Sequence, residues 1–138
     1  MKKVFIVPII TFLIAITAGC INTATFDEEE YNKTLALKQE TLDLIGKATE
    51  PYVSHEAEVA ELLQKLNSVY ESAQARPNNK VSVKQWKLML DEDANLVAGF
   101  FARWKSEGTL NKFFVEEAKG VISKGFNTIT DLEEAKKI

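Results

Sequence analysis

Few residues in this chain combine the types and spacing that chemistry requires. The single histidine, His55, opens the stretch HEAE, which sets Glu58 three residues later on the same helical face. An imidazole beside a carboxylate could form part of a metal or haem site inside a bundle, with Met89 facing it. Carboxylate-bridged dimetal bundles, however, need paired glutamate and histidine motifs on several helices, and one pair is too few. Covalent haem attachment needs CxxCH, which the chain lacks. A Ser-His-Asp relay would have to pass through His55, and the chain has neither a GxSxG elbow nor a phosphate-cradling glycine loop. The runs DEEE (27–30), DED (91–93) and LEEA (132–135) fall at helix starts or on exposed faces, where capping and solvation account for them. The expectation is a noncatalytic protein, not an enzyme, with no metal and no cofactor. His55 then closes a bundle end through one hydrogen bond.

The elements that would carry these residues are helical. His55 precedes Val59 and Leu62 by four and seven residues, so it lies on the core face of one helix. That helix starts at Pro51, continues through Leu66, Val69 and Ala73, and stops in the turn QARPNNK. Before it, Asp27 can cap a helix whose first turn is Glu28, Glu29 and Glu30. Tyr31, Leu35, Leu37, Thr41, Leu42, Leu44, Ile45 and Ala48 share half of that helix.

A third start lies at Ser82, where SVKQ has the form of a capping box. Trp86, Met89, Leu90, Val97, Phe100, Phe101 and Trp104 then share a face if the helix passes through DED and ends at Gly108. If Asp91 instead caps a new helix, the bundle has five helices rather than four. The last helix spans Asn111 to Lys136, with Phe113, Phe114, Ala118, Val121, Ile122, Ile129 and Leu132 on one side. Gly120 and Gly125 inside it each cost about 1 kcal/mol relative to alanine, and a bend near Gly125 is an expectation. No segment alternates over a strand length. The fold class is therefore all-α, a four-helix or five-helix antiparallel bundle.

Composition fits one such domain of 138 residues, with 46% hydrophobic and 27% charged side chains. The chain carries 17 Lys and Arg against 20 Asp and Glu; two of the cations are Lys2 and Lys3, so the remainder stands at 15 against 20. That balance lacks the basic footprint by which proteins neutralise phosphates, so nucleic acid is not expected as a partner.

The first twenty residues depart from this profile. Lys2 and Lys3 precede an apolar run from Val4 to Ile16, and Thr17, Ala18 and Gly19 are small. From Val4 to Ala18 the run holds Pro8 and is shorter than the roughly 20 residues that span a bilayer core. It ends in TAGC, with Cys20 the only cysteine. TAGC followed by polar residues resembles the lipobox of bacterial lipoproteins, although Thr17 stands where that family usually has leucine. The resemblance implies a signal peptide at 1–19, cleavage before Cys20 and lipid on its sulfur. Residues 20–26 are then a tether and residues 27–138 the bundle domain. Ile21, in place of aspartate, implies the outer membrane if the organism has two. Acyl chains contribute roughly 0.8 kcal/mol per buried CH₂, so the protein would be held at the cell envelope by its lipid.

Two function classes fit this address. The first is a noncatalytic interaction module that holds, guides or blocks another envelope protein. The second is a carrier or sensor that binds a hydrophobic small molecule between its helices. Aromatic side chains concentrate in the third and fourth helices, mostly as core, with some available to line a groove. Arg103, Trp104 and Lys105 mix the residue types found in binding hot spots and are the candidate partner-binding residues.

Overall fold

The structure, a computed structural model, describes residues 23–137. Cys20 and the apolar run before it lie outside the described residues. Five α-helices follow: α1 (Glu28–Gly46), α2 (Glu56–Ala75), α3 (Lys80–Met89), α4 (Val97–Glu107) and α5 (Lys112–Glu134), with a 3₁₀ turn at Tyr52–Ser54.

Asp27 caps α1 as expected, its Oδ1 accepting the Glu30 N–H at 2.9 Å. The buried seam of α1 is Glu30, Thr34, Leu37, Thr41 and Leu44, at alternating spacings of four and three, with Ile45 buried beside the last. This seam is rotated from the apolar face read in the sequence. Leu35 is 40% exposed, and Glu30 and Thr34 lie inside. The α2 seam of Val59, Leu62, Leu66, Val69 and Ala73 is the one read from spacing. Pro51 leads into the 3₁₀ turn, and α2 itself starts after His55.

The third rod is broken. α3 ends at Met89, Asp91 Oδ1 accepts the Asp93 N–H at 2.9 Å, and α4 begins only at Val97. Of the two expectations the five-helix one holds, although Asp91 closes the turn rather than capping α4. Ser82 does not form a capping box, because α3 already starts at Lys80. Its hydroxyl accepts instead from Lys136 Nζ at 3.1 Å. Gly125 causes no break: α5 is continuous, and a Cβ there would stand 2.6 Å from Met89 Sδ. Glycine at 125 thus lets α3 approach α5 closely.

Side-chain and backbone bonds define two ends. At the far end, the Tyr52 N–H donates to Gly108 O and the Leu110 N–H to Ala48 O, each at 2.8 Å. Gly108, with φ of 83°, makes the turn between α4 and α5. At the near end the start of α1 meets the ends of α2 and α5 and the start of α3. Successive rods therefore run antiparallel. α1 packs on α2 and α5, and α3 packs on the same two. The core between them holds Trp86, Trp104, Phe101, Phe126, Ile45, Leu62 and Leu66, all buried.

The near end is closed by charge. Arg76 Nη1 lies 2.7 Å from Glu30 Oε2, and Arg76 Nη2 lies 2.9 Å from Glu133 Oε1. Lys136 Nζ lies 2.6 Å from Glu133 Oε2 and also donates to Asn79 Oδ1 at 2.7 Å. Glu133 Oε1 accepts the Asp27 N–H as well, at 2.9 Å. Burial pushes the Glu133 carboxyl up, but hydrogen bonds from Arg76, Lys136 and the Asp27 backbone outweigh it and hold the group below its ordinary value. The segment before α1 joins this cluster. Ala24 is buried and its N–H donates to Asn78 O at 3.1 Å, while Arg76 donates to Thr25 O. Ala24, within the expected tether, is thus packed onto the bundle.

Arg76→Met should destabilise the protein by about 3–5 kcal/mol in urea unfolding, because Glu30 and Glu133 stay buried without their shared cation. Two glycines should respond with opposite sign to the same change. A Cβ at Gly99 would collide with the Ala94 carbonyl, whereas nothing lies within 4 Å of one at Gly120. Gly99→Ala should lower stability by about 1–3 kcal/mol and Gly120→Ala should raise it by up to about 1 kcal/mol, read from the denaturation midpoints.

Candidate functional site

The three consecutive candidates Arg103, Trp104 and Lys105 point in three directions, as steps of 100° along α4 require. Trp104 turns inward. It is fully buried, and its indole N–H donates to Glu50 O at 3.0 Å. Tyr52 meets its ring edge-on at 5.4 Å. Trp104 therefore belongs to the core and offers no surface to a partner. Lys105 turns outward, its side chain 66% exposed and its ammonium 4.0 Å from Glu56.

Arg103 alone reaches a groove. Its guanidinium carbon stands 4.0 Å above the Phe114 ring, and its Nε donates to Glu107 Oε1 at 2.7 Å. Phe114 in turn stacks on Phe100 with centroids 6.0 Å apart and planes 4° from parallel. The open groove between α4 and α5 holds about 280 Å³, with Gly99, Phe100, Phe114, Ala118 and Val121 as its apolar walls and Asn95, Arg103 and Glu117 as its polar groups. Val121 is 51% exposed, and Phe113, one residue before Phe114, is 73% exposed. Sequence reading placed Phe113 and Phe114 on one face, but adjacent helical residues diverge by 100°, so one member of the doublet must face outward. That doublet was the available signal for an exposed aromatic.

A larger groove of about 740 Å³ lies between α1 and α2. Its floor includes Ala36, Leu37 and Val69, but its rims are charged, and Lys65 bridges to Glu40 at 2.8 Å and to Glu61 at 3.0 Å. Of the two, the α4–α5 groove is the better suited to an apolar partner.

His55 lies at the far end between the 3₁₀ turn and α2. Its Nδ1 is 2.7 Å from Glu58 Oε1 and its Nε2 is 2.6 Å from Glu50 Oε2, two hydrogen bonds where one was expected. Glu50 was not singled out in the sequence, because it lies in the loop before Pro51, where periodicity carries no information. A neutral imidazole has one N–H and could satisfy only one of these carboxylates as a donor; the imidazolium satisfies both. Hydrogen bonds to Glu58 and Glu50 hold the His55 pKa above its ordinary 6.5, outweighing the opposing effect of burial. The Glu58 carboxyl is held below its ordinary value, first by Lys47 at 2.7 Å and then by His55. In the imidazolium form both ring nitrogens donate to carboxylates. Its geometry is that of an ionic clamp tying the α1–α2 loop to the first turn of α2, against the Trp104 ring at 5.6 Å. Among the described residues, no group of three or more His, Cys, Asp or Glu side chains is arranged to hold a metal ion.

No protein-family model matches the chain, and no curated protein or solved structure matches it either.

The clamp has a defined pH window. The His55 contribution is complete below the unfolded value of about 6.5 and is lost as pH rises through the higher folded value. The Glu58 contribution is present above its unfolded value of about 4.5 and is lost as pH falls through the lower folded value. The stability difference between the native protein and His55→Gln should therefore be largest between these two values. It should shrink as pH rises past the folded His55 pKa, as measured by thermal or urea unfolding in a pH series.

Proposed function

We propose that this protein is a lipid-tethered, noncatalytic interaction module of the cell envelope. In this reading Cys20 carries the lipid, and the bundle presents its α4–α5 groove to another envelope protein. The observation that carries it is the placement of the lone cysteine. Cys20 ends the TAGC stretch and stands three residues before Thr23, next to Ala24, where the chain is bonded to the bundle. An acylated sulfur there would hold a folded domain at a membrane. Among the described residues no helix is long and apolar enough to cross one. In an organism with two membranes, Ile21 after the cysteine favours the outer one.

The partner surface in this reading is Phe113, Phe114, Val121 and Arg103, replacing the buried Trp104. These side chains combine exposed apolar area with a cation that already lies over an aromatic ring, a composition enriched where protein partners meet. The alternative, a carrier or sensor of hydrophobic small molecules, has less support. Such ligands occupy roughly 300–1,000 Å³ with most of their surface covered. The α4–α5 groove, at about 280 Å³, is open to solvent, and the α1–α2 groove, at about 740 Å³, is open as well and rimmed by charges.

Growth with an alkynyl fatty acid should label the native protein, and Cys20→Ser should lose both the label and its place in the membrane fraction. A photoreactive residue at Phe113 should capture one defined envelope protein from cells carrying the tethered form. Capture of small hydrophobic molecules in its place would favour the carrier.

A further inference from the structure

The chain meets the bundle at a fixed point. Ala24 is buried, its N–H bonded to Asn78 O, and Arg76 holds the next carbonyl, that of Thr25. Two residues, Ile21 and Asn22, separate Cys20 from Thr23, and three chain steps span at most about 11 Å. α5, with 23 residues, is about 35 Å long. A lipid on Cys20, the proposal on which this inference rests, therefore cannot let the bundle float at a distance. The near end must lie against the membrane, so the chemistry of that end decides how the bundle stands.

Two helices begin at the near end, and helix side chains lean toward the helix N-terminus, so the first turns of α1 and α3 set the character of the end face. The two turns are opposite in kind. α1 presents the exposed carboxylates Glu28 and Glu29. α3 presents Lys80 and Val81, with Lys84 one turn further along the same side. Val81 is 61% exposed, although a valine at that depth in the first turn caps nothing and packs on nothing central. A shallow, mainly apolar groove of about 270 Å³ connects it directly to the exit point, bordered by Thr23, Val81, Leu132 and Ala135.

We propose that the first turn of α3 is the membrane-contacting face of the bundle, with Val81 entering the interfacial layer of a phospholipid bilayer and Lys80 and Lys84 lying against its headgroup phosphates. The carboxylates of α1 then stand on the side of the end face turned away from the lipid. Phe113 and Val53 are exposed near the opposite end of the bundle, away from the end that carries the lipid in this reading. The short tether and the asymmetric end face together fix an orientation, not only an attachment.

The test uses the full chain expressed in its own cells. A photoreactive residue is placed in turn at positions 81, 84, 28 and 113, all exposed, and phospholipid adducts are quantified by mass spectrometry after illumination. Positions 81 and 84 should capture several-fold more phospholipid than 28 or 113, and Cys20→Ser should abolish the difference. If Cys20 takes the fatty-acid label yet all four positions capture phospholipid equally, or position 81 captures protein in its place, the orientation is overturned while the lipid tether stands. If Cys20 takes no label, tether and orientation fall together.

Discussion

Arg76 is the group on which the near end of this fold depends. It stands at the C-cap of α2 and reaches Glu30 of α1, Glu133 of α5 and the carbonyl of Thr25. One guanidinium suits this role because its planar fork donates in several directions at once. Each partner is itself shared: Glu133 also accepts from Lys136 and from the Asp27 backbone, and Lys136 reaches on to Asn79 and Ser82 at the start of α3. Buried ions of this kind contribute little net stability against an apolar replacement, but losing one member exposes the rest to an uncompensated charge. The network fixes how four helix ends meet and where the preceding chain enters.

The far end is closed by different means. Backbone bonds from Tyr52 to Gly108 and from Leu110 to Ala48 join the two loops, and Trp104 ties its indole to the Glu50 carbonyl. His55 adds a clamp between Glu50 and Glu58. Both of its ring nitrogens face carboxylates, which ties the loop before α2 to the first turn of that helix. The same geometry makes this end sensitive to pH through His55 and Glu58.

Between these ends the bundle keeps most of its aromatic rings inside. Trp86, Trp104, Phe101 and Phe126 fill the space between helices, and Phe113 is left in solvent. Phe113 and Val121, the exposed apolar side chains of α5, lie toward the end remote from the face at which the chain enters. The point where the chain enters and the exposed aromatic of α5 are thus separated along the length of the bundle.

Sequence alone determined the helical class, the Asp27 cap, the α2 seam and the terminator at Gly108. Each of these depends on residues within a turn or two of one another, where spacing and local backbone preference decide. It also placed Cys20 after an apolar run, a signal that needs no fold to be read. Only the tertiary structure decided that Glu30 and Thr34 face inward on α1, because the partner that draws Glu30 in lies 46 residues away in the chain. The burial of Trp104 was settled in the same way, by a carbonyl in a distant loop, whereas the break at Asp91 rests on a local Asx turn that competes with helix continuity. Arg103 and Trp104 looked equivalent as neighbours in sequence. A rotation of 100° between them put one at a groove and the other in the core, and the direction of that rotation relative to the bundle is set by packing across helices.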